Sequence, residues 1–326
     1  MQISDGVKKW SILLPTYPLP ARWRVAARRK GLANLELAKA ERAQLLIIGH
    51  PKSGNTWLKA MISRLYQVRH GLAANELINT DELALKIPEI PRLAASNGWY
   101  SYEGAIGEAL AAGAADNPLR HKPVLLIARN PLDIAVSWYF QFTKRQSKHK
   151  QELINHSIAH PIDRNTVEMW EFVRYSDIGL PSLIDFLNTW ARNLEGLEHS
   201  QMIRYEDLRG KPAQTLRQVV DLMGETFTDD DIAGAVEWGS FDNLRKLESN
   251  GFFKRGGMTL RNPDDPNSFK VRRGKVGGYR DYFSPEQAAE LETLMAQTLL
   301  PVFGYGPAVD SADKPAQGAG TNASGS

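Results

Sequence analysis

The aliphatic run Leu45-Leu46-Ile47-Ile48 reads as a buried strand, and Trp57, Leu58, Met61, Ile62, Leu65 and Tyr66 then recur at helical spacing, so a helix starts near Asn55. The unit repeats at Val124–Ala128, followed by Ile134, Ala135, Trp138, Tyr139 and Phe142. Leu183, Phe186, Leu187, Trp190 and Leu194 mark another amphipathic helix, and "QMIRY" (201–205) is a short strand before a helix carrying Leu216, Val219, Val220 and Met223. Ser284-Pro285-Glu286-Gln287 is a capping-box start for a last helix. Strands alternating with helices predict an α/β fold, a central mostly parallel sheet covered by helices on both faces.

Outside that rhythm, residues 20–43 predict a helix whose first half is basic: Arg22, Arg24, Arg28, Arg29 and Lys30 around Trp23 and Val25. Such a segment either packs as a solvated helix or rests on an anionic membrane surface. Residues 143–168 are polar and read as an excursion over the surface, and 249–281 as a Gly- and Pro-rich basic loop. The division expected is an N-terminal extension over 1–43, one folded domain over 44–305 and a disordered tail over 306–326.

Composition narrows the function. The 326 residues carry a formal net charge of +3, too mild for a nucleic-acid binder, and contain no cysteine, which removes disulfides, thiolate metal sites and thiol nucleophiles. No apolar run reaches membrane-spanning length and no signal-peptide core opens the chain, so a soluble cytoplasmic protein is expected.

Between the first strand and helix lies "GHPKSGNTW", Gly49 to Trp57. Gly49 and Gly54 have the spacing of a nucleotide P-loop, with Thr56 at its hydroxyl position. Asn55 stands where the lysine belongs, and the lysine is Lys52. Amide groups at a helix N-terminus bind anions, and Gly54 admits a phosphate close to the backbone. Without a lysine at 55 the loop is a poor cradle for ATP. Arg129, ending the second strand, and Ser137 on the next helix could converge on a second phosphate; the alternative is that Arg129 pairs with Asp133. Arg272, Arg273 and Lys275, among glycines in "VRRGKVGG", form a cationic segment able to close on phosphate, or a solvated basic loop.

Together these stretches resemble the cytosolic-type sulfotransferases that use 3′-phosphoadenosine-5′-phosphosulfate (PAPS), in a bacterial-like form. Pro51-Lys52-Ser53-Gly54-Asn55-Thr56-Trp57 is similar to their first signature, and Arg129-Asn130-Pro131 with Asp133 and Ser137 to the second. Arg272-Arg273-Gly274, Gly277-Gly278-Tyr279-Arg280 and Phe283-Ser284 are similar to the third, and Tyr205-Glu206-Asp207 and Ser240-Phe241 to two shorter ones. The resemblance spans roughly residues 45–300. It implies a three-layer α/β/α sulfotransferase fold and in-line sulfuryl transfer without a metal, leaving PAP as product. Lys52, Ser53, Gly54, Asn55 and Thr56 would hold the phosphosulfate, with Lys52 stabilising the leaving oxygen. Trp57, Tyr205 and Phe241 would hold adenine, and Arg129, Ser137, Arg272, Arg273 and Gly274 the 3′-phosphate.

The family's usual histidine base is missing. In Trp99-Tyr100-Ser101-Tyr102-Glu103-Gly104, Tyr102 falls at its position, which leaves Glu103 as candidate base and His50 as the second. The acceptor is expected to be a small, partly apolar alcohol, phenol or amine. Two other readings share these residues: a PAP- or PAPS-binding protein without transfer, and a P-loop small-molecule kinase.

Overall fold

The computed structural model describes residues 5–78, 83–84, 87–97, 105–111, 117–253, 258–260 and 262–305. In chain order its helices and strands begin with α1 (Asp5–Leu13), α2 (Ala21–Arg42), β1 (Leu45–Ile48), α3 (Asn55–Arg69), β2 (Leu93–Ser96) and α4 (Ala105–Ala111). They continue through β3 (Val124–Ala128), α5 (Pro131–Phe140), α6 (Lys148–Asn155), α7 (Met169–Arg174), α8 (Leu180–Glu195) and β4 (Ser200–Arg204). The chain then adds α9 (Tyr205–Gly210), α10 (Pro212–Leu222), α11 (Asp229–Trp238), α12 (Phe241–Ser249) and α13 (Pro285–Thr298).

The four strands are all parallel, in the order β2-β1-β3-β4. Every residue of β1 and β3 is fully buried, as an unbroken aliphatic run demands when both sheet faces are covered. The two-residue period of a strand divides these side chains between two cores. Leu45, Ile47, Leu125 and Ile127 join α3, α10 and α11 through Leu58, Leu216 and Ile232. Leu46, Ile48, Leu126 and Ala128 pack instead on α8 through Phe186, Leu187 and Trp190. Each buried aliphatic side chain contributes about 1.5–3 kcal/mol, which makes the sheet the rigid base of the molecule. The result is the expected three-layer α/β/α fold.

Parallel pairing puts the four strand ends on one edge. Ile48 lies opposite Ser96 and Leu126, and Ala128 opposite Arg204. The residues that leave this edge are Gly49, Asn97, Arg129 and Tyr205. From β1 the chain goes to β2 on one side, and from β3 to β4 on the other, so a crevice opens between β1 and β3.

Two expectations change. The first half of residues 143–168 is not a loop over the surface: Thr143 and Arg145 are buried, and α6 follows with Leu153 and Ile154 inside, while 156–168 is a largely exposed connection. The charges of that first half conceal this because they bond within the chain. Glu152 of α6 accepts from Arg24 Nε at 2.8 Å and Arg28 Nη1 at 2.7 Å, and Arg29 donates to the Leu153 carbonyl at 2.7 Å. The basic face of α2 is thereby turned onto α6, while Trp23 stays 57% exposed. Strand β2, Leu-Ala-Ala-Ser, went unrecognised because it has no β-branched residue and only one large aliphatic one. Among the described residues no helix is long and apolar enough to cross a membrane.

Helix α2 also buries Glu36, whose carboxylate accepts from the Ala105 amide at 3.2 Å. Burial, only partly offset by bonds from Ser96 and Ala105, pushes this carboxyl up to about 8. The folded protein therefore holds that proton more tightly than the unfolded chain. The stability so gained is full below the ordinary carboxyl value and is lost as pH climbs toward 8. Glu36→Gln removes this component. In urea unfolding between about pH 5 and 8, the variant should gain on the parent steadily with pH; a constant gap would refute the assignment.

Candidate active site

The edge carrying the strand ends opens into a cavity of about 380 Å³. Its floor is the β1–α3 loop. There Lys52 adopts φ +82°, the one left-handed non-glycine among the described residues, and Gly54 has φ +112°. Such a conformation costs a side-chain-bearing residue about 1–3 kcal/mol, so the surrounding structure must hold it. Part of the hold is Arg129, whose Nη1 donates to the Lys52 carbonyl at 2.9 Å. A Cβ on Gly54 would meet Tyr205 Cδ2 at 3.0 Å, so this position also needs glycine for the close approach.

The loop residues are used differently from one another. Lys52, Gly54, Asn55, Thr56 and Trp57 line the cavity. Asn55, however, is 9% exposed, and its amide donates to the Gly49 carbonyl and to Asn97 Oδ1, both at 3.1 Å. Its side-chain donors close the loop and tie it to the end of β2, so its expected amide contact to phosphate is replaced by a structural one. Ser53 is fully buried beneath the loop and outside the cavity wall. His50 is also fully buried and outside the wall. It packs edge-on against Trp138 and Phe186, each 5.7 Å away, and burial pushes its imidazole down to about 3. Such a ring is a poor proton acceptor and faces no reactant, which removes His50 as a candidate base. Tyr102 and Glu103 lie outside the described residues.

Trp57 and Tyr205 meet edge to face at 5.5 Å, and Trp57 Nε1 donates to the Gly239 carbonyl at 2.6 Å. Phe241, the first residue of α12, completes this aromatic end, with the Arg209 guanidinium 5.6 Å from its ring centre. Gly274, at φ +60°, lies so close to Phe241 that a Cβ would approach its ring to 2.5 Å. The third signature is thus folded onto the aromatic wall, where a larger residue would not fit.

Arg129, Ser137, Arg272 and Arg273 line the same cavity. Arg129 does not pair with Asp133. The Arg129 guanidinium lies 4.2 Å from the Tyr205 ring centre, and its buried Nε has no hydrogen-bond partner. Asp133 instead accepts from the amides of Gly277 at 2.8 Å and Tyr279 at 3.0 Å, pinning the basic loop to the first turn of α5. Arg272 donates to the Tyr282 hydroxyl, while Arg273 and Lys275 pair with Asp281. A further clamp was not foreseen: Glu206 accepts from the Asn130 amide at 3.1 Å and from Tyr305 Oη at 2.6 Å. Its only sequence signal was its place after Tyr205.

Among the described residues, nine cationic side chains and one carboxylate, Asp133, line the cavity. Burial, and after it the charges of Lys270, Arg145, Arg129 and Arg272, hold the Lys52 ammonium well below the ordinary lysine value. A site so charged favours a ligand with several negative groups, and the aromatic end suits a planar base. No cluster of three or more metal-ligating side chains occurs among the described residues.

Comparisons with known proteins agree with this geometry. The family model for the sulfotransferase domain matches residues 42–301. Cytosolic sulfotransferase 5 of Arabidopsis thaliana is 25% identical over 281 residues, covering 80% of this chain and 81% of the relative. Cytosolic sulfotransferase 7 of the same plant is 26% identical over 266 residues, 74% of each chain. A solved structure of retinol dehydratase, in complex with androsterone and inactive cofactor PAP, has a TM-score of 0.50 at 13% identity, covering 81% of this chain and 84% of that one. The last likeness is one of fold.

The Asp133 clasp predicts a local effect. Asp133→Ala leaves two amides without their acceptor, a loss of about 1–3 kcal/mol. Hydrogen exchange should accelerate across residues 272–280 more than in the sheet; unchanged protection there would show that the loop is held by other contacts.

Proposed function

The chain belongs to the sulfotransferase domain family, and from that premise we propose that it moves a sulfuryl group from PAPS to a hydroxyl or amine of a small acceptor by in-line displacement. The observation that carries the reading is the cavity itself, where an excess of cations faces three aromatic rings on the strand-end edge. The unit responsible is residues 44–305, with 1–43 as an N-terminal extension.

The fit to an adenosine bisphosphate is supported residue by residue. Trp57, Tyr205 and Phe241 would hold the adenine. Arg129, with a buried guanidinium nitrogen still able to donate, would take the 3′-phosphate together with Ser137, Arg272, Arg273 and the Gly274 amide. Lys52, Thr56 and the amides of residues 53–56 would take the 5′ end; Ser53 and Asn55 contribute through the backbone, since their side chains are turned away. When bound, PAPS supplies an activated sulfuryl group on a phosphate that becomes the leaving group. The chain's part is to bind that phosphate, exclude water from it and hold the Lys52 charge beside it, where negative charge grows as the bond breaks. The left-handed backbone at Lys52 fits this role, because strain held by Arg129 fixes where the side chain begins.

Lys52→Ala should lower sulfuryl transfer by roughly 10²–10³-fold while PAP still stabilises the fold in a thermal shift. A fully active variant overturns the mechanism. Since a bound anion favours the protonated ammonium that the cavity otherwise disfavours, PAP binding should take up protons and weaken as pH rises. Binding enthalpies in buffers of different ionisation heat measure that uptake, and buffer-independent enthalpies would refute it.

A second reading, nucleotide binding without transfer, is favoured by one observation: among the described residues no histidine lines the cavity. Incubation with PAPS and a panel of phenols, alcohols and amines separates the two readings. An acceptor mass gain of one sulfuryl group supports transfer; stabilisation by PAP with no product supports binding alone. Glu103 remains the proposed base, for which Glu103→Gln should lower transfer by about 10²-fold and leave PAP affinity unchanged. Equal rates would remove it.

A further inference from the structure

The large hydrophobic side chains left on the surface are not spread evenly. Nine are exposed among the described residues, and six of them, Val7, Trp10, Leu14, Tyr17, Leu19 and Trp23, fall between residues 7 and 23. The other three, Val68, Val276 and Val302, stand far apart in the chain. Single exposed valines are ordinary on a protein surface, whereas a run of six with two tryptophans marks a contact face.

The run belongs to the hairpin of α1 and α2. Val7 and Trp10 are three residues apart and Leu14 follows four later, the spacing of one stripe along α1 and the short 3₁₀ turn that continues it. The core takes other residues of α1: Leu13 is buried with Val25, Leu32 and Leu153. Ile12 lies so near α2 that a Cβ on Gly31 would approach its Cγ2 to 2.7 Å. Helix α1 thus has two apolar faces, and the interior uses one. The turn between the helices is braced from beneath. Arg28 Nε donates to Thr16 Oγ1 at 2.7 Å, and that hydroxyl donates to the Leu13 carbonyl at 2.6 Å. Arg24 Nη1 donates to the Leu19 carbonyl at 2.9 Å, and Glu152 holds both arginines. Tyr17, Leu19 and Trp23 are therefore exposed on a fixed backbone.

Charge selects what this face meets. Residues 6–30 contain seven Lys and Arg and no Asp or Glu. Arg24 and Arg28 are taken up by Glu152, and Arg29 by the Leu153 carbonyl. Arg22 and Lys30 stay exposed, and the Arg22 guanidinium lies 4.8 Å from the Trp23 ring centre. A cation beside an exposed indole suits the level where lipid phosphates meet acyl chains. A symmetric dimer through this face would bring Arg22 and Lys30 against like charges, with no carboxylate from the segment to offset them. An anionic lipid surface offers phosphates to the cations and hydrocarbon to the rings.

We propose that the α1–α2 hairpin is a membrane-docking face, which lays its exposed aromatic and aliphatic side chains on an anionic lipid surface while Arg22 and Lys30 reach the phosphates. Among the described residues no helix is long and apolar enough to cross a membrane, so the hairpin rests on the bilayer. The other arginines of α2 turn inward and brace it. The inference is independent of the donor reading, because none of these residues lines the cavity.

The test is co-flotation of the full chain with vesicles of phosphatidylcholine, with and without about 30% phosphatidylglycerol. The anionic vesicles should carry at least roughly tenfold more protein than the neutral ones, and added salt should weaken the binding. Trp10→Ala combined with Trp23→Ala should lower binding by roughly tenfold or more, and Arg22→Gln combined with Lys30→Gln by roughly fivefold or more. All four side chains are exposed, so urea midpoints should stay at the parent value. Binding lost at an unchanged midpoint assigns the loss to this face. No binding of the parent to anionic vesicles overturns the proposal without relying on any variant. Equal binding to neutral and anionic vesicles overturns the anionic assignment, and undiminished binding of the tryptophan variant overturns the face. Self-association of the parent that the tryptophan variant abolishes, without vesicle binding, would identify a second copy as the occupant instead.

Discussion

The structure is organised around a problem of like charge. Among the described residues nine cations line one cavity, and each would be more stable beside a carboxylate than beside another cation. Asp281 pairs with Arg273 and Lys275, but two other nearby carboxylates are used on the backbone. Asp133 binds the amides of Gly277 and Tyr279, and Glu248 those of Lys270 and Val271. Each carboxylate anchors a stretch of the basic loop without withdrawing its Arg or Lys side chains from the cavity. Burial first, and neighbouring positive charge after it, disfavours the ammonium groups of Lys52, Lys150 and Lys270, and an anionic ligand would offset part of that cost.

The same polar bonds join sites that are far apart in sequence. Arg129 ties the second signature to the first through the Lys52 carbonyl, and Asp133 ties it to the third. Glu206 ties it to the residues after β4 and to Tyr305 near the C-terminal end of the described chain. The sheet supplies a fixed edge, and these bonds set the distances above it. The N-terminal helices enter the arrangement from outside: α2 packs on α6 through Arg24, Arg28 and Glu152, and α6 presents Lys150 to the cavity.

Much of this was legible in the residues. Unbroken aliphatic runs at 45–48 and 124–128 called for doubly covered strands, and the spacing of Gly49, Lys52 and Gly54 marked the loop that lines the cavity. The roles of single polar residues were less legible. Asn55 was expected to contact phosphate and instead closes its own loop, because an amide next to a free carbonyl bonds it first. The alternative pairing of Arg129 with Asp133 assumed that nearness along a helix decides an ion pair, whereas amides from a loop more than 140 residues away hold that carboxylate. The first half of the polar stretch 143–168 read as surface because its charges are visible in sequence and their partners on α2 are not.

What the sequence determined by itself was the local chemistry: which segments are apolar enough to bury, where a helix must start, and which glycine frees the backbone for a tight loop. Those properties depend on residues within a turn or two of each other. Only the tertiary structure decided which cations face the cavity and which are neutralised elsewhere, that His50 is sealed between Trp138 and Phe186, and that Lys59, Lys150 and Lys270 line one cavity. The physical reason is that the state of a charged group is set by what surrounds it in space. Here those surroundings come from parallel strands whose connections return through helices to a common edge.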